Sequence, residues 1–291
     1  MPKMRSPLRY PGSKGQISGN IQALIEEYPE TIETYFEPFC GGAAVALELL
    51  LEGIVGRVWL NDADPGIYSF WKAIVTETER FCAKLQTVPL NVEEWNHWKS
   101  ISDQAIDDEY DFDLGFANFY LNRTNHSGVI RGGLIGGRSQ TGKYKMDCRF
   151  NREALTDLIE RIADQKDRII ITGFDGVKLL GSASEEFGIE NDSTFVFVDP
   201  PYVKKADRLY MNHFKLTDHY KLGEVLYESS FTNWLLTYDD DALVREIYAG
   251  HTNWDLKIGY SAHKKRNATE VLVSAPALAP YCPKAFGTRI K

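Results

Sequence analysis

The stretch TFVFVDPPY at residues 194–202 joins an apolar strand to an ending that a central strand does not require. Its first five residues are β-branched or aromatic, and they predict a buried strand. Two prolines follow Asp199, and because proline has no N–H to donate to a sheet ladder, the strand must end there. A rigid turn that carries a carboxylate, residues 199–202, therefore follows the carboxyl end of this strand.

Six further apolar runs on both sides of this stretch also predict strands. They occupy residues 34–39, 57–62, 168–174, 233–240, 254–260 and 270–275. Helical patterns follow several of them, at residues 43–53, up to about residue 80, up to about residue 187 and at residues 241–248. Alternation of strands with helices predicts an α/β protein whose mostly parallel sheet has helices on both faces.

Residues 83–150 interrupt this alternation between the second and third predicted strands. Their first half has a helical pattern, whereas the second half is rich in glycine and basic residues and has little periodicity. A connection of this length is usually functional or forms a subdomain. We therefore predict a catalytic domain made of residues 1–82 and 151–291, with an inserted helical and basic region at residues 83–150.

The composition of the 291-residue chain disfavours several classes of protein. Its four cysteines lie far apart and form no CxxC pair, which argues against a disulfide framework and a zinc site. No run approaches the roughly 18 apolar residues of a membrane span, and the first residues lack the apolar segment of a signal peptide. We expect a cytoplasmic, monomeric protein that uses neither a metal nor a membrane.

The formal net charge of −8 conceals a segregated distribution of charge. Residues 118–152 carry seven basic side chains against one acid, and the first 16 residues carry four basic side chains and no acid. A third basic cluster lies at residues 264–266. Local basic patches matter more than net charge for binding a polyanion. Each cluster is equally consistent with an ordinary solvated face, so charge alone leaves a nucleic-acid partner open.

Glycines and acids follow the predicted strands at the edge where ligands bind in open α/β sheets. Gly41 and Gly42 follow the first strand and allow a ligand to approach the backbone, although a tight turn alone explains them equally well. Asp62 ends the second strand at a spacing that suits hydrogen bonds to ribose hydroxyls, whereas Asp64 fits a helix N-cap better. Asp175 follows the third strand. Together these residues predict a ligand that contains adenosine.

The turn at residues 199–202 has a chemical use at this edge. An exocyclic amine on a heteroaromatic base is a poor nucleophile, because its lone pair is delocalised into the ring. The Asp199 carboxylate and the Pro200 carbonyl can accept its hydrogens, and the prolines fix both acceptors in advance. Tyr202 offers a flat face on which a base can stack. A proline-rich turn with incidental polar residues is the alternative, which the neighbouring glycine turn and Asp62 disfavour.

Five segments in this order resemble the Dam-type (D12 class, α group) N6-adenine DNA methyltransferases. They are RYPGSK (9–14), EPFCGGAAV (37–45), NDAD (61–64), NRTNHSGVIR (122–131) and VDPPY (198–202). The resemblance implies a Rossmann-like S-adenosylmethionine-dependent methyltransferase sheet with an inserted target-recognition region. It also implies a site-specific enzyme that transfers a methyl group from S-adenosylmethionine to N6 of an adenine flipped out of double-stranded DNA, leaving S-adenosylhomocysteine.

The resemblance, together with the basic insertion, also assigns roles to individual residues. The implied catalytic residues are Asp199, Pro200, Pro201 and Tyr202. The implied cofactor-binding residues are Tyr10, Lys14, Glu37, Phe39, Gly41, Asp62, Phe174, Asp175 and Asp199. The expected DNA contacts are Arg123, His126, Ser127, Arg131, Arg138, Lys143 and Lys145, with a bidentate guanine contact assigned to Arg131. Lys204 and Lys205 are candidate phosphate contacts beside the flipped base.

The chain departs from the family pattern after Arg131, where the GATC-specific members have a shorter segment with an FN-V-P pattern. Only Phe150 and Asn151 match that pattern, so the target sequence is not implied. Three alternatives remain open: a non-catalytic DNA-binding protein that kept the fold, an enzyme that methylates an RNA adenine, and one that methylates cytosine N4 or a glutamine amide. Related enzymes of the last kind tend to have Ser or Asn where this chain has Asp199, which favours adenine.

Overall fold

Seven strands form one sheet in the computed structural model, which describes residues 4–9, 14–104, 109–187, 189–203, 214–260 and 266–286. They are β1 (Thr34–Glu37), β2 (Arg57–Asn61), β3 (Ile169–Thr172), β4 (Thr194–Val198), β5 (Asn233–Asp239), β6 (Thr252–Tyr260) and β7 (Arg266–Ser274). All seven coincide with runs that the sequence predicted as strands. The predicted α/β class with a mostly parallel sheet is therefore confirmed.

The strand order is β3-β2-β1-β4-β5-β7-β6. Strands β1 to β5 are parallel, and β7 runs antiparallel to both β5 and β6. This parallel order is the doubly wound, Rossmann-like arrangement. The direction of winding reverses between β1 and β4, which are hydrogen-bonded neighbours. A crevice forms at such a reversal outside the carboxyl ends of the strands, so the segments after β1 and β4 meet where ligands bind.

Eleven helices accompany the sheet within the described residues. They are α1 (Ser18–Glu27), α2 (Ala44–Leu51), α3 (Pro65–Thr76), α4 (Thr78–Thr87), α5 (Val92–Gln104), α6 (Phe112–Thr124), α7 (Arg152–Ala163), α8 (Gly176–Phe187), α9 (Leu216–Glu228), α10 (Ala242–Ile247) and α11 (Cys282–Phe286). The sequence patterns predicted α2, α3, α8, α10 and a helical first half of the insertion, and they did not identify α1, α7, α9 or α11. None of the helices in this described part of the chain is long and apolar enough to cross a bilayer.

Apolar side chains on both faces of the central strands form the core. Every residue of β1, β4 and β5 is buried, as expected for strands that helices cover on both sides. On one face Tyr35 of β1 stacks on Phe195 of β4, with ring centroids 5.8 Å apart. On the other face Phe36 stacks on Trp59 of β2 at 4.2 Å. The period-two alternation of the strands thus supplies one aromatic cluster to each face.

The inserted region at residues 83–150 packs onto this same core. Every residue of helix α6 except Asp113 is buried, and its Phe119 stacks on Phe70 of α3 with centroids 5.8 Å apart. A side chain at Gly115 would lie 2.6 Å from the backbone carbon of Ser69, so glycine permits the close approach of α6 to α3. The predicted boundary after residue 82 falls inside α4. The helical half of the insertion is therefore continuous with the catalytic domain in its packing.

Candidate active site

The turn after β1 is held against the end of β2 by Asp62. Its Oδ2 accepts a hydrogen bond from the backbone N–H of Gly41 at 2.8 Å, and its Oδ1 accepts one from the N–H of Asp64 at 3.0 Å. Asp64 caps α3 by accepting from the N–H groups of Gly66 and Ile67, as the sequence predicted. Burial, followed by the nearby Asp64 carboxylate, raises the pKa of Asp62 to about 7.

Asn61 ties together the carboxyl ends of three strands. Its amide donates to the carbonyl oxygens of Pro38 at 2.8 Å and Phe174 at 2.9 Å, beyond the ends of β1 and β3. Its Oδ1 accepts from the N–H of Phe174 and from the Thr172 hydroxyl, at 2.9 Å and 2.8 Å. The side chain is fully buried, and its bonds to Pro38 and Thr172 are made away from water. The sequence reasoning missed Asn61, whose neighbour Asp62 was the more conspicuous residue.

The residues predicted near the cofactor after β3 lie at this same edge. The Phe174 ring is 50% exposed, which leaves a flat apolar face available to a ligand. Asp175 accepts hydrogen bonds from the N–H groups of Val177 and Lys178, both at 3.0 Å, and so caps the beginning of α8. Phe39, after β1, is partly buried and meets the ring of Phe214 edge-on at 5.7 Å.

Asp199 is held on two sides at the carboxyl end of β4. The Lys14 ammonium donates to its Oδ1 at 2.8 Å and to its Oδ2 at 2.7 Å. The hydroxyl of Thr237, on the neighbouring strand β5, donates to Oδ1 at 2.9 Å. The N–H of Val203, just past the two prolines, donates to Asp239 at 3.0 Å. The turn at residues 199–202 is therefore anchored at both ends, and Thr237 is a second contributor that the sequence reasoning missed.

Tyr202 faces the interior of the site. Its hydroxyl accepts a hydrogen bond from Lys14 Nζ at 2.7 Å, and the same ammonium lies 5.1 Å from the centre of its ring. The side chain is only 5% exposed and packs against Tyr238 at 6.1 Å, and the Tyr238 hydroxyl lies 2.6 Å from Nδ1 of the buried His219. The predicted stacking of a base on Tyr202 therefore requires this ring to be uncovered first.

Lys14 is the cation at the centre of an acidic cluster. Besides Asp199, it lies 3.6 Å from the Glu270 carboxylate of β7, which is 1% exposed. Glu37, at the end of β1, is also buried and within electrostatic reach of Asp199 and Lys14. Burial raises the pKa of Glu37 to about 8, so at neutral pH this carboxyl is mostly protonated. With Glu37 neutral, Lys14 faces two carboxylates, and the cluster suits a positively charged ligand.

The turn predicted to read DNA is built by two asparagines of the NRTN segment. Asn122 accepts from the N–H of Arg9 at 2.7 Å and donates to the carbonyl of Gly128 at 2.9 Å. Asn125 donates to the carbonyls of Val129 and Ile130 at 3.0 and 2.9 Å. Gly128 has a φ of +76°, and a side chain there would lie 2.0 Å from the Arg9 carbonyl, so the turn requires glycine.

Most of the expected DNA contacts lie on the surface, and one does not. The exposed residues are His126, Ser127, Arg131, Arg138, Lys143 and Lys145. Arg123 is 4% exposed, and its guanidinium donates to the carbonyls of Ser6 and Arg149 at 3.4 Å. Burial, together with the Arg9 and Arg149 charges, lowers its pKa to about 9. The expectation that Arg123 contacts DNA is therefore corrected, because this side chain joins the amino-terminal segment to the insertion from inside.

Several predicted residues lie outside the described part of the chain, namely Tyr10, Lys204, Lys205 and the basic pair at 264–265. Within the described ranges, no three His, Cys, Asp or Glu side chains are grouped so that they could hold a metal ion.

Comparison with known proteins finds relatives among the Type II methyltransferases. A Type II methyltransferase, M.CviBI of Paramecium bursaria Chlorella virus NC1A, is 26% identical over 281 residues, which cover 92% of this chain and 96% of that protein. The Type II methyltransferase M1.LlaDCHI of Lactococcus lactis subsp. cremoris is 23% identical over 252 residues, covering 84% of this chain and 76% of that protein. Among solved structures, the rRNA methyltransferase aviRa from Streptomyces viridochromogenes superposes with a TM-score of 0.42 and 15% sequence identity. The superposition covers 93% of this chain and 88% of the aviRa chain.

A family model for D12 class N6 adenine-specific DNA methyltransferases matches residues 10–265. The match includes the glycine turn, the strand end at Asp62, the NRTN segment and the turn at residues 199–202. Because it spans most of the chain, the protein belongs to the D12 class N6 adenine-specific DNA methyltransferase family.

Proposed function

We propose that this protein transfers the methyl group of S-adenosylmethionine to N6 of an adenine in double-stranded DNA. The observation that carries the proposal is the position of Asp199. It follows β4 at the point where the winding of the sheet reverses, one strand away from the turn that Asp62 holds. A ligand bound at the glycine turn and an amine bound at Asp199 would therefore be neighbours across this crevice.

The residues after β1, β2 and β3 fit the proposed cofactor. Asp62 offers carboxylate oxygens to the hydroxyls of a ribose, and Phe174 offers a half-exposed ring to an adenine. The two carboxylates around Lys14, Asp199 and Glu270, leave a net negative charge that would offset the positive charge of a sulfonium. When bound, S-adenosylmethionine supplies an activated methyl group whose leaving group is a neutral thioether, so the proposal needs no metal.

The turn at residues 199–202 would prepare the amine. An Asp199 oxygen and the Pro200 carbonyl accept the two N6 hydrogens, which returns electron density to the nitrogen and orients its lone pair. Thr237 fixes the Asp199 carboxylate before the base arrives. Such preorganisation is what an electrostatic catalyst requires. The base must leave the duplex to reach these acceptors, because N6 is inaccessible inside the stack.

The exposed, basic half of the insertion would contact DNA. Arg131 lies in the turn built by Asn122 and Asn125, within electrostatic reach of Asp64 at the start of α3. Lys143 and Lys145 flank Tyr144, which is 61% exposed. In this arrangement the lysines meet phosphates, and Arg131 is positioned to read a base edge.

Removing Lys143 and Lys145 together is expected to weaken duplex binding and its dependence on salt. Each phosphate contact contributes about 0.9 to the slope of log affinity against log salt, so the Lys143→Ala/Lys145→Ala variant should lose nearly two units of slope. Fluorescence anisotropy of a labelled duplex between low and moderate salt measures this slope. The matched control is Arg57→Ala/Lys166→Ala, which removes two exposed cations at the opposite edge of the sheet. If the slope of log affinity against log salt is the same for both variants, the DNA phosphates do not contact Lys143 and Lys145.

Cofactor affinity is expected to rise with pH through about 7. Only the ionised Asp62 can accept hydrogen bonds from both ribose hydroxyls, and its pKa is raised to about 7 in the free protein. Lowering the pH from 8 to 6 should therefore weaken binding of S-adenosylhomocysteine by about tenfold, as calorimetry would measure. Asp62→Asn should bind more weakly and lose most of this pH dependence. A wild-type affinity that is constant across this range would refute the role of Asp62.

The proposed substrate is tested by competition. Purified protein is incubated with tritiated S-adenosylmethionine and a long duplex DNA, and unlabelled single-stranded DNA or RNA of the same sequence is added in excess. We expect label in N6-methyladenine of the duplex, and only weak competition by RNA. Label that appears in RNA adenine under these conditions would favour the RNA alternative, and label in cytosine would exclude adenine as the target.

A further inference from the structure

The Lys14 ammonium lies between two residues of the turn, Asp199 and Tyr202, and the Glu270 carboxylate on β7. The ammonium donates to both oxygens of Asp199 at 2.7–2.8 Å and to the Tyr202 hydroxyl at 2.7 Å. Glu270 Oε2 also lies near it, at 3.6 Å. At 3.6 Å the Glu270 carboxylate lies beyond hydrogen-bond distance of this ammonium.

The observed contacts oppose the reaction proposed for this site. Asp199 Oδ1 already accepts from Lys14 and Thr237, which occupies both of its lone pairs. A cation bound to Asp199 also withdraws the negative charge that would stabilise the positive charge developing on N6 during methyl transfer. The bond from Lys14 also restrains the Tyr202 hydroxyl. The ammonium therefore holds Asp199 and Tyr202 in an arrangement that disfavours binding of the target adenine.

Glu270 provides a second position for this cation. It is 1% exposed in β7, where it pairs in register with Asp239 of β5, so the strand fixes its place. A buried carboxylate is strongly stabilised by a close cation. A shift of Lys14 Nζ by about 1 Å would shorten the 3.6 Å distance to that of a charged hydrogen bond. The flexible stem of lysine permits such a shift, and Thr237 would keep Asp199 oriented after it.

We propose that Lys14 is a latch with two positions, closed on Asp199 and Tyr202 and open on Glu270. Glu270 is then a positioning residue: it draws the ammonium away when the target adenine enters, which frees an Asp199 oxygen and releases the Tyr202 hydroxyl. The inference rests on the proposed function, because it assumes that Asp199 receives an adenine. Glu270, on β7, would then help to control the entry of the target base.

The test measures the position of the base and does not depend on methyl transfer. A duplex that carries the sequence methylated by the wild type is prepared with 2-aminopurine at the target position, and fluorescence reports extrusion of this base from the stack in the presence of S-adenosylhomocysteine. Glu270→Gln keeps the shape of the side chain but removes its charge, so the flipped population should fall by about tenfold. The double variant Lys14→Met/Glu270→Gln removes the latch as well and should restore flipping to at least the wild-type level.

The rescue separates the latch from a structural role. A flipped population in Glu270→Gln equal to that of the wild type would overturn the proposal. So would a double variant as impaired as Glu270→Gln, since Glu270 would then act without Lys14. The melting temperature and the affinity for S-adenosylhomocysteine show whether the Glu270→Gln variant is folded. The matched control is Glu224→Gln, which makes the same substitution at an exposed position on α9. Adenine methylation by the wild-type preparation is measured alongside, so failure of the latch and failure of the proposed function give different results.

Discussion

Replacing Asp199 with alanine is expected to lower the rate of methyl transfer to DNA by about a thousandfold. The substitution removes the charged acceptor at the end of β4 that would bind N6, and the Pro200 carbonyl cannot supply the missing charge. The fold should survive, because Lys14 keeps a carboxylate partner in Glu270 at 3.6 Å. Single-turnover transfer of a tritiated methyl group at saturating cofactor measures the effect on the chemical step.

Asp240→Ala is the matched control for this prediction. Asp240 follows β5, is exposed and pairs with Arg245 on the surface, so its loss should leave the transfer rate unchanged. Binding of S-adenosylhomocysteine to the Asp199→Ala variant should stay close to that of the wild type if the variant is folded. Methyl transfer by Asp199→Ala at a rate near that of the wild type would show that the catalytic acceptor lies elsewhere.

Replacing Asn61 with alanine is expected to give the largest loss of stability among the site residues. The substitution removes the Asn61 partner of the buried Pro38 carbonyl and Thr172 hydroxyl, and that of the part-buried carbonyl and N–H of Phe174. An unsatisfied buried group costs about 1–3 kcal/mol, so the free energy of unfolding should fall by about 3–5 kcal/mol. Because these bonds also align the ends of β1, β2 and β3, affinity for S-adenosylhomocysteine should fall with it.

Urea denaturation followed by tryptophan fluorescence measures this loss. The control is Asn91→Ala. Asn91 is exposed, immediately precedes α5, and accepts one hydrogen bond from the N–H of Glu94 in the first turn of that helix. Its loss should cost about 1 kcal/mol, as for a helix cap. If the two variants lose the same stability, the bonds of Asn61 do not hold the three strand ends together.

The fold was largely predictable because its strands are short, apolar and bounded by turn residues. Buried central strands such as β4 have few alternatives, since a run of β-branched and aromatic residues fits a sheet covered on both faces. Helices α1, α7, α9 and α11 were not identified. The boundary drawn after residue 82 shows another limit, because periodicity does not reveal that α6 packs on α3 through Gly115 and Phe119.

The grouping of the candidate residues was predictable where they are contiguous. Residues 199–202 lie in one turn, and Asp62 stands at a recognisable distance from the glycine turn that it contacts. Thr237 and Glu270 were missed, because their roles arise only when β5 and β7 are placed beside β4. Arg123 was misassigned for the opposite reason, since a basic residue within a basic stretch gives no sign that it is buried. Contacts distant in sequence thus supply much of the support around the turn.

Single-molecule sequencing of DNA from cells that lack other adenine methylation tests the central claim most directly. Cells expressing the wild-type protein should contain N6-methyladenine in one defined sequence context, and cells expressing Asp199→Ala at the same level should contain none. The same data would supply the recognition sequence needed for the base-flipping experiment. Methylation of cytosine, or adenine methylation that persists in the Asp199→Ala cells, would contradict the account.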